Sequence, residues 1–294
     1  MNAFLTYDQL VARLSCESNL PQVPVAAMRL CQQVEQELVS QDVLKTVSSD
    51  PALTANLLRS ASSPLYALSN RPVQDVRSAL STLGVRGVKS VAMSVLMQSV
   101  VLGATKSTLD PKRFVQHSTF VGIMAKYVFL RRKQTRPFAT SLNGDDVFAA
   151  GVLHDLGKGL LAAANPAVYD RISNEAKVRR TTFDSAFIAN YNHNVTTLTT
   201  AALAVWKLPT VFSTLIGGFG DPVASPTDPV GSASLVLADH YAMGNGFGEG
   251  EYVPPDLNPE IVDLAGLDEA ELPSAVAQVV AHTQSCLVGG RAAA

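Results

Sequence analysis

Residues 150–161 read AGVLHDLGKGLL, and the fold is decided by what that stretch is. Its apolar residues do not alternate with polar ones as in a half-buried strand, and no hairpin turn flanks it. It reads instead as a buried helix carrying His154, Asp155 and Lys158. Polar side chains in such a place must find partners in the interior, because an unpaired buried polar group is costly. Neighbouring residues on a helix point about 100° apart. His154 and Asp155 can therefore share one ion only at the edge between their directions, with other helices completing the shell.

Outward from that motif the helical spacing continues in both directions, strand signals are nearly absent, and the chain is expected to be all-α. Toward the N-terminus, residues 23–38 place Val23, Ala27, Leu30, Val34 and Leu38 on one helix face behind Pro21 and Pro24. Ser40 caps a short helix that stops before Pro51, and Asp50 caps the next, with Pro51 in its first turn. Gly84 closes one helix and a longer one follows. A helix is expected from Pro111 to Arg132, and another from Asp145 that contains the motif. Further helical stretches follow: PAVYDRISNEAK, FDSAFIANYN, TLTTAALAVWKLP, TVFSTLIGGF and GSASLVLADHYAMG, then a closing helix at 272–287. Residues 244–260, rich in glycine and proline, read as an irregular surface loop. The polar, turn-rich GATKSTLDP (103–111) divides an N-terminal helical part (1–105) from a helical core with the closing helix (106–294). No internal repeat is visible.

The chain of 294 residues can bury a large core. Charged residues make up only 16%, against about 25% in an average globular protein, and the net charge of −2 advertises no nucleic-acid partner. The best basic cluster, FLRRKQTR (129–136), reads as a solvated helix end, where cations are favoured. Cys16, Cys31 and Cys286 show neither a disulfide framework nor zinc-knuckle spacing. The N-terminus lacks a secretory pattern, and VAMSVLMQSVVLGA (91–104) is too short and too interrupted to span a bilayer. A cytoplasmic protein with no membrane partner is the expectation.

Five histidines are present. His117 and the carboxylate of Asp239, each a polar residue on an apolar helix, are the natural partners for His154 and Asp155. Imidazole nitrogen with carboxylate oxygen suits one divalent ion such as manganese, iron, zinc or magnesium. Such an ion acidifies a bound water, and Lys158 could steady a phosphate oxygen. The plain alternative is an imidazole and a carboxylate that satisfy each other without metal.

At these residues the chain resembles a known family. HDLGKGLL is similar to the signature of the HD superfamily of metal-dependent phosphohydrolases. The whole chain resembles its HDOD branch, the HD-related output domain of bacterial signalling proteins. LPQVPVAAMRLCQQV, SSDPALTANLLRSASSPLYAL, VQDVRSALSTLGVRGVKSVAM, FAAGVLHDLGKGLL, AVWKLP and LVLADHYA stand in the family's order and cover about residues 19–243. The resemblance implies an N-terminal helical part with an HD-like helical core. It also implies a ligand set that maps onto His117, His154, Asp155 and Asp239, with Lys158 where relatives that degrade cyclic dinucleotides contact phosphate. The chain departs from those relatives at LIGGFGDP, where Gly217 and Gly218 stand in place of a His-His pair. It departs again at Val195, where such chains carry a histidine; the nearby His193 is two residues off register. A second metal loses its ligands.

The resulting expectation is a non-catalytic regulatory module of bacterial signal transduction that binds a signalling protein or a small phosphorylated ligand, with self-association compatible. The alternative is a mononuclear metal-dependent phosphohydrolase acting on a nucleotide or phosphate ester. There His117, His154, Asp155 and Asp239 hold the ion, and Asp155 and Lys158 serve catalysis. Nucleic-acid binding through VRGVKSV and FLRRKQTR is disfavoured, since no aromatic platform accompanies the charge.

Overall fold

The computed structural model describes residues 5–14, 25–33, 41–62, 73, 75–225, 228–248, 256–268 and 270–288. Within them the regular structure is helical and contains no strand, as expected from the spacing. The expected cap Ser40 and the expected starts at Pro21 and Pro24 lie outside the described residues.

Two compact units divide the chain, one of residues Gln22–Ser99 and the other of Met1–Pro21 with Val100–Ala294. The smaller unit holds α2 (Val25–Gln33), α3 (Gln41–Ser48), α4 (Pro51–Ala61) and most of α5 (Val76–Leu102). Local chemistry sets its helix ends. Asp50 accepts hydrogen bonds from the Ala52 and Leu53 amides at 2.9 and 3.0 Å, and Pro51 opens α4 where its missing donor costs nothing. Gly84 interrupts α5 with φ 66° and ψ 174°, a conformation that glycine reaches without a Cβ penalty. Leu30, Val43, Val47, Leu53, Leu57 and Leu80 form the core of this unit.

The larger unit begins with α1 (Tyr7–Leu14) and continues through α6 (Pro111–Thr135), α7 (Gly144–Leu153), α8 (Leu156–Ala164), α9 (Pro166–Arg179) and α10 (Phe183–Tyr191). It closes with α11 (Thr196–Val205), α12 (Thr210–Gly217), α13 (Pro229–Ala242), α14 (Pro259–Ala265) and α15 (Leu272–Val288). The long α6, capped by Asp110 and opened by Pro111, is the axis against which α7, α13 and α15 pack. Two helical runs are long and apolar enough to cross a bilayer, Val76–Leu102 and Gly144–Ala164, and both are mostly buried in the protein as core helices.

Two details differ from the sequence reading. The helix expected to contain the motif is two helices, with His154 and Asp155 at their joint. Part of the segment read as an irregular loop is ordered: Met243–Phe247 makes a wide helical turn, and Asn258 caps α14 with Pro259 in its first turn. FLRRKQTR does form an exposed helix end, and two of its arginines also have acid partners there, Arg131 in Glu271 and Arg136 in Asp263.

Candidate functional site

Two close approaches build the site. On α6 and α7, Gly122 and Gly151 face each other so tightly that a Cβ on Gly151 would lie 2.8 Å from the Gly122 Cα. That contact lets the two helices approach backbone to backbone and sets His117, on α6, opposite His154 at the end of α7. The second approach is between α8 and α11. A Cβ on Gly157 would lie 2.8 Å from the Val195 carbonyl oxygen and 3.0 Å from the Thr199 amide, so the glycine of HDLGK is required for packing.

Thr199 explains why the helix breaks at the motif. Its buried hydroxyl accepts a hydrogen bond from the Gly157 amide (2.8 Å) and donates one to the His154 carbonyl (3.1 Å). A continuous helix would use both backbone groups internally. With Thr199 holding them, the chain steps through Asp155 at φ −95° and ψ 10°, and the Lys158 amide closes on the Asp155 carbonyl at 2.9 Å. The step turns both the imidazole of His154 and the carboxylate of Asp155 toward α6 and α13.

The side chains named from the sequence meet there. His117 Nε2 lies 3.3 Å from His154 Nε2, 3.4 Å from Asp155 Oδ2 and 3.2 Å from Asp239 Oδ1. His154 Nε2 is 3.4 Å from Asp155 Oδ2 and 3.6 Å from Asp239 Oδ1. His117, His154 and Asp155 are buried. Lys158 Nζ sits 2.9 Å from Asp155 Oδ2 and 3.0 Å from Asp184 Oδ2, above the ring of Phe183 at 5.7 Å from its centroid.

The donor chemistry fits a divalent ion. His154 Nδ1 is 2.7 Å from the Gly151 carbonyl oxygen, which can only accept, so the ring proton sits on Nδ1 and the Nε2 lone pair faces the cluster. Three acceptors, that lone pair and the two carboxylate oxygens, thus converge on the single Nε2–H that His117 can offer. Donor atoms of His117, His154 and Asp239 lie within 4.8 Å of one another. An ion held there would engage all of these acceptors at once, together with His117 Nε2. Among the described residues, His117 Nδ1 is buried without a hydrogen-bond partner.

Electrostatics follow from this crowding. Burial opposes protonation of His117, but hydrogen bonds and charge from Asp155 and Asp239 outweigh it and push the imidazole up to about 10. Burial works against ionisation of Asp155, yet the charge of Lys158 and a hydrogen bond from His117 hold its carboxyl well below the usual range. Asp239 is held low too: a hydrogen bond from His117 and the charge of that imidazole overcome its burial. Asp184 goes the other way: burial, with Asp155 and Asp239 nearby, pushes it up despite Lys158.

On the side of Phe219, Gly217 and Gly218 supply no side-chain ligand. Gly217 is exposed, with open space where a Cβ would stand. A Cβ on Gly218 would meet Ser232 Oγ at 2.4 Å and Ser225 Oγ at 2.7 Å. Phe219 stacks on His154, with ring centroids 5.6 Å apart. Val195 is fully buried, and the exposed His193 stacks on Tyr7 at 3.7 Å. Asp184, Thr199 and Phe219 were not singled out from the sequence. Asp184 reads there as an ordinary first-turn acid of a helix.

The family model for the HDOD domain matches residues 20–218. No curated protein matches the chain significantly. Among solved structures, an HDOD domain protein of unknown function from Geobacter sulfurreducens is 22% identical with a TM-score of 0.73, covering 92% of this chain and 94% of that one. A candidate signal transduction protein from Marinobacter aquaeolei VT8 is 19% identical with a TM-score of 0.69, covering 98% of this chain and 61% of that one. A candidate phosphohydrolase from Shewanella amazonensis SB2B is 20% identical with a TM-score of 0.69, covering 94% and 96%. These likenesses establish the shared fold, and with the match over residues 20–218 the chain belongs to the HDOD family.

Proposed function

We propose that this protein is a regulatory module of cytoplasmic signal transduction that binds a signalling protein or a small phosphorylated ligand and does not itself hydrolyse phosphate esters. The observation that carries this reading is the position of Lys158. The ammonium that would anchor a phosphate is committed to Asp155 and Asp184, and Phe219 covers one face of His154. The name given to the Marinobacter protein agrees with such a role. Nucleic acid is a poor partner, because Arg131 and Arg136 of the basic cluster are paired with acids.

The second reading, a mononuclear metal-dependent phosphohydrolase, is favoured by the tethered His154, whose Nε2 is aimed at Asp155, Asp239 and His117. The name of the Shewanella protein agrees with it. A divalent ion bound by these four residues would acidify a coordinated water. Gly151 and Thr199 would hold His154 and Asp155 in place for it, and Lys158 would have to leave Asp184 to reach a phosphate.

The two readings separate in one assay. Chelator-treated protein is resupplied with manganese or magnesium and offered 4-nitrophenyl phosphate, bis(4-nitrophenyl) phosphate and a panel of nucleotides. The regulatory reading expects no turnover above that of a His154→Ala variant. Turnover that needs the ion and disappears in the variant overturns it. Co-purification followed by identification of the retained protein then names the partner.

A further inference from the structure

We propose that the face covered by α1, on the start of α11 and the joint between α8 and α9, is the docking site for an amphipathic helix of a signalling partner, and that α1 is the chain's own stand-in for it. This rests on the regulatory reading above and adds to it a face and a shape of partner.

The contacts of α1 are those of a helix laid onto a receiving surface. Tyr7, Leu10 and Leu14 stand three and then four residues apart, the spacing by which a helix anchors one face in a partner. Leu10 and Leu14 are fully buried, while Asp8, Gln9 and Ala12 on the other side are exposed. At one end the Tyr7 ring stacks on His193 with centroids 3.7 Å apart, and its hydroxyl donates to Thr197 Oγ1 at 2.5 Å. At the other end Arg13 donates to Asn165 Oδ1 at 2.9 Å. Thr6 and Gln9 close a capping box, in which the Gln9 amide donates to Thr6 Oγ1 and the Thr6 amide to Gln9 Oε1. The segment thus carries its own helix start. Eight residues are nevertheless too few to hold a helix in water without a surface to lie on, so folding and docking of α1 are one step. It also precedes residues 20–218, the stretch that matches the HDOD domain.

One polar group shows that α1 fits this face incompletely. Asn165, only 8% exposed, ends α8 and begins α9. Arginine can only donate, so Arg13 takes Asn165 Oδ1, and among the described residues Asn165 Nδ2 is buried with no hydrogen-bond partner. An unpaired buried donor is costly. A helix with glutamine in place of Arg13 can offer Oδ1 a donor and Nδ2 an acceptor together. The partner helix therefore repeats the pattern of Tyr7, Leu10 and Leu14 and carries glutamine where α1 has Arg13. Such a helix grips both elements that frame the motif. Thr197 shares the first turn of α11 with Thr199, which holds the His154–Asp155 step, and Asn165 ends the helix that carries Lys158.

The test titrates full-length protein into a fluorescein-labelled peptide of residues 3–15 and reads fluorescence anisotropy. In wild type the tethered α1 competes for the face. The variant Leu10→Asp/Leu14→Asp releases it and is expected to bind the peptide at least about tenfold more tightly than wild type. A peptide with Arg13→Gln is expected to bind the released variant about tenfold more tightly than the parent peptide, and a peptide with Leu10→Asp is expected not to bind. Should the released variant fail to fold, as read by circular dichroism, Leu10→Ala/Leu14→Ala takes its place. No binding by a folded, released variant overturns the docking site, as does equal binding of the Leu10→Asp peptide. Equal affinity of the parent and Arg13→Gln peptides overturns the role of Asn165 and with it the chemistry of the partner. Light scattering is expected to find wild type monomeric; a dimer that the released variant loses assigns the face to α1 of a second copy and overturns the signalling partner. Turnover in the phosphatase assay removes the regulatory reading itself, a failure that the peptide titration does not share.

Discussion

The joint between α7 and α8 and the corner between α12 and α13 lie on two sides of the same imidazole and are built on opposite principles. At the joint the motif's polar groups are held by near neighbours. The Gly151 carbonyl accepts a hydrogen bond from His154 Nδ1, the Thr199 hydroxyl donates to the His154 carbonyl and accepts from the Gly157 amide, and Lys158 pairs with Asp155. At the corner the chain offers two glycines without side chains and a phenylalanine that lies flat against His154. One side of His154 is thus fixed by hydrogen bonds from its neighbours, and the other is met by an aromatic ring and by two residues that supply no side-chain donor.

The joint should be the more fragile of the two. Gly151→Val would force a branched side chain into the Gly122 backbone, where a Cβ alone already comes within 2.8 Å. Overpacking on that scale costs about 3 kcal/mol, and the denaturant midpoint should fall accordingly. Thr199→Val keeps the shape but leaves the Gly157 amide and the His154 carbonyl without their partner. A loss of about 2 kcal/mol is expected, together with roughly tenfold weaker manganese binding, since groups that orient a ligand affect affinity on that scale. Thr199→Ser should recover most of the binding, and equal binding by the valine variant would show that the hydroxyl does not position His154. At the corner, Phe219→Ala removes one stacked ring worth about 1 kcal/mol. It should leave manganese stoichiometry unchanged, as read by metal analysis.

The contrast also separates what the sequence could show from what it could not. Asp50, Asp110 and Asn143 act as caps through amides two and three residues away, and this local chemistry marks those helix starts. His117, His154, Asp155 and Asp239 were recognisable because their residue types stand in the family's order. The break at His154 was not, since no proline or glycine causes it. Its cause is a hydroxyl 45 residues further along the chain, at Thr199. Asp184 was hidden for a similar reason: its link to Lys158 is tertiary, while its local role as a helix first-turn acid already accounted for it. The short α14 was masked by its flanks of glycine and proline, although Asn258 and Pro259 are an ordinary cap and first residue.

The smallest effects should come from the two glycines of the corner, and their signs should differ. Gly217 ends α12 on the exposed side, with nothing within 4 Å of a Cβ. Replacing it by alanine removes chain freedom from the unfolded state and improves helix propensity, a gain of about 0.5 kcal/mol. Gly218, one residue on, is wedged against Ser232, whose hydroxyl donates to the Leu215 carbonyl at 3.0 Å. Alanine there must displace that hydroxyl and should cost about 1 kcal/mol. Thermal melts of the two variants, side by side, read the difference directly. If both stabilise, Ser232 yields without cost and the corner has room that the structure does not show. If both destabilise, the chain needs flexibility at Gly217 that its exposed helical position gives no reason to expect. In either case manganese stoichiometry should stay at that of wild type, because neither position reaches the joint.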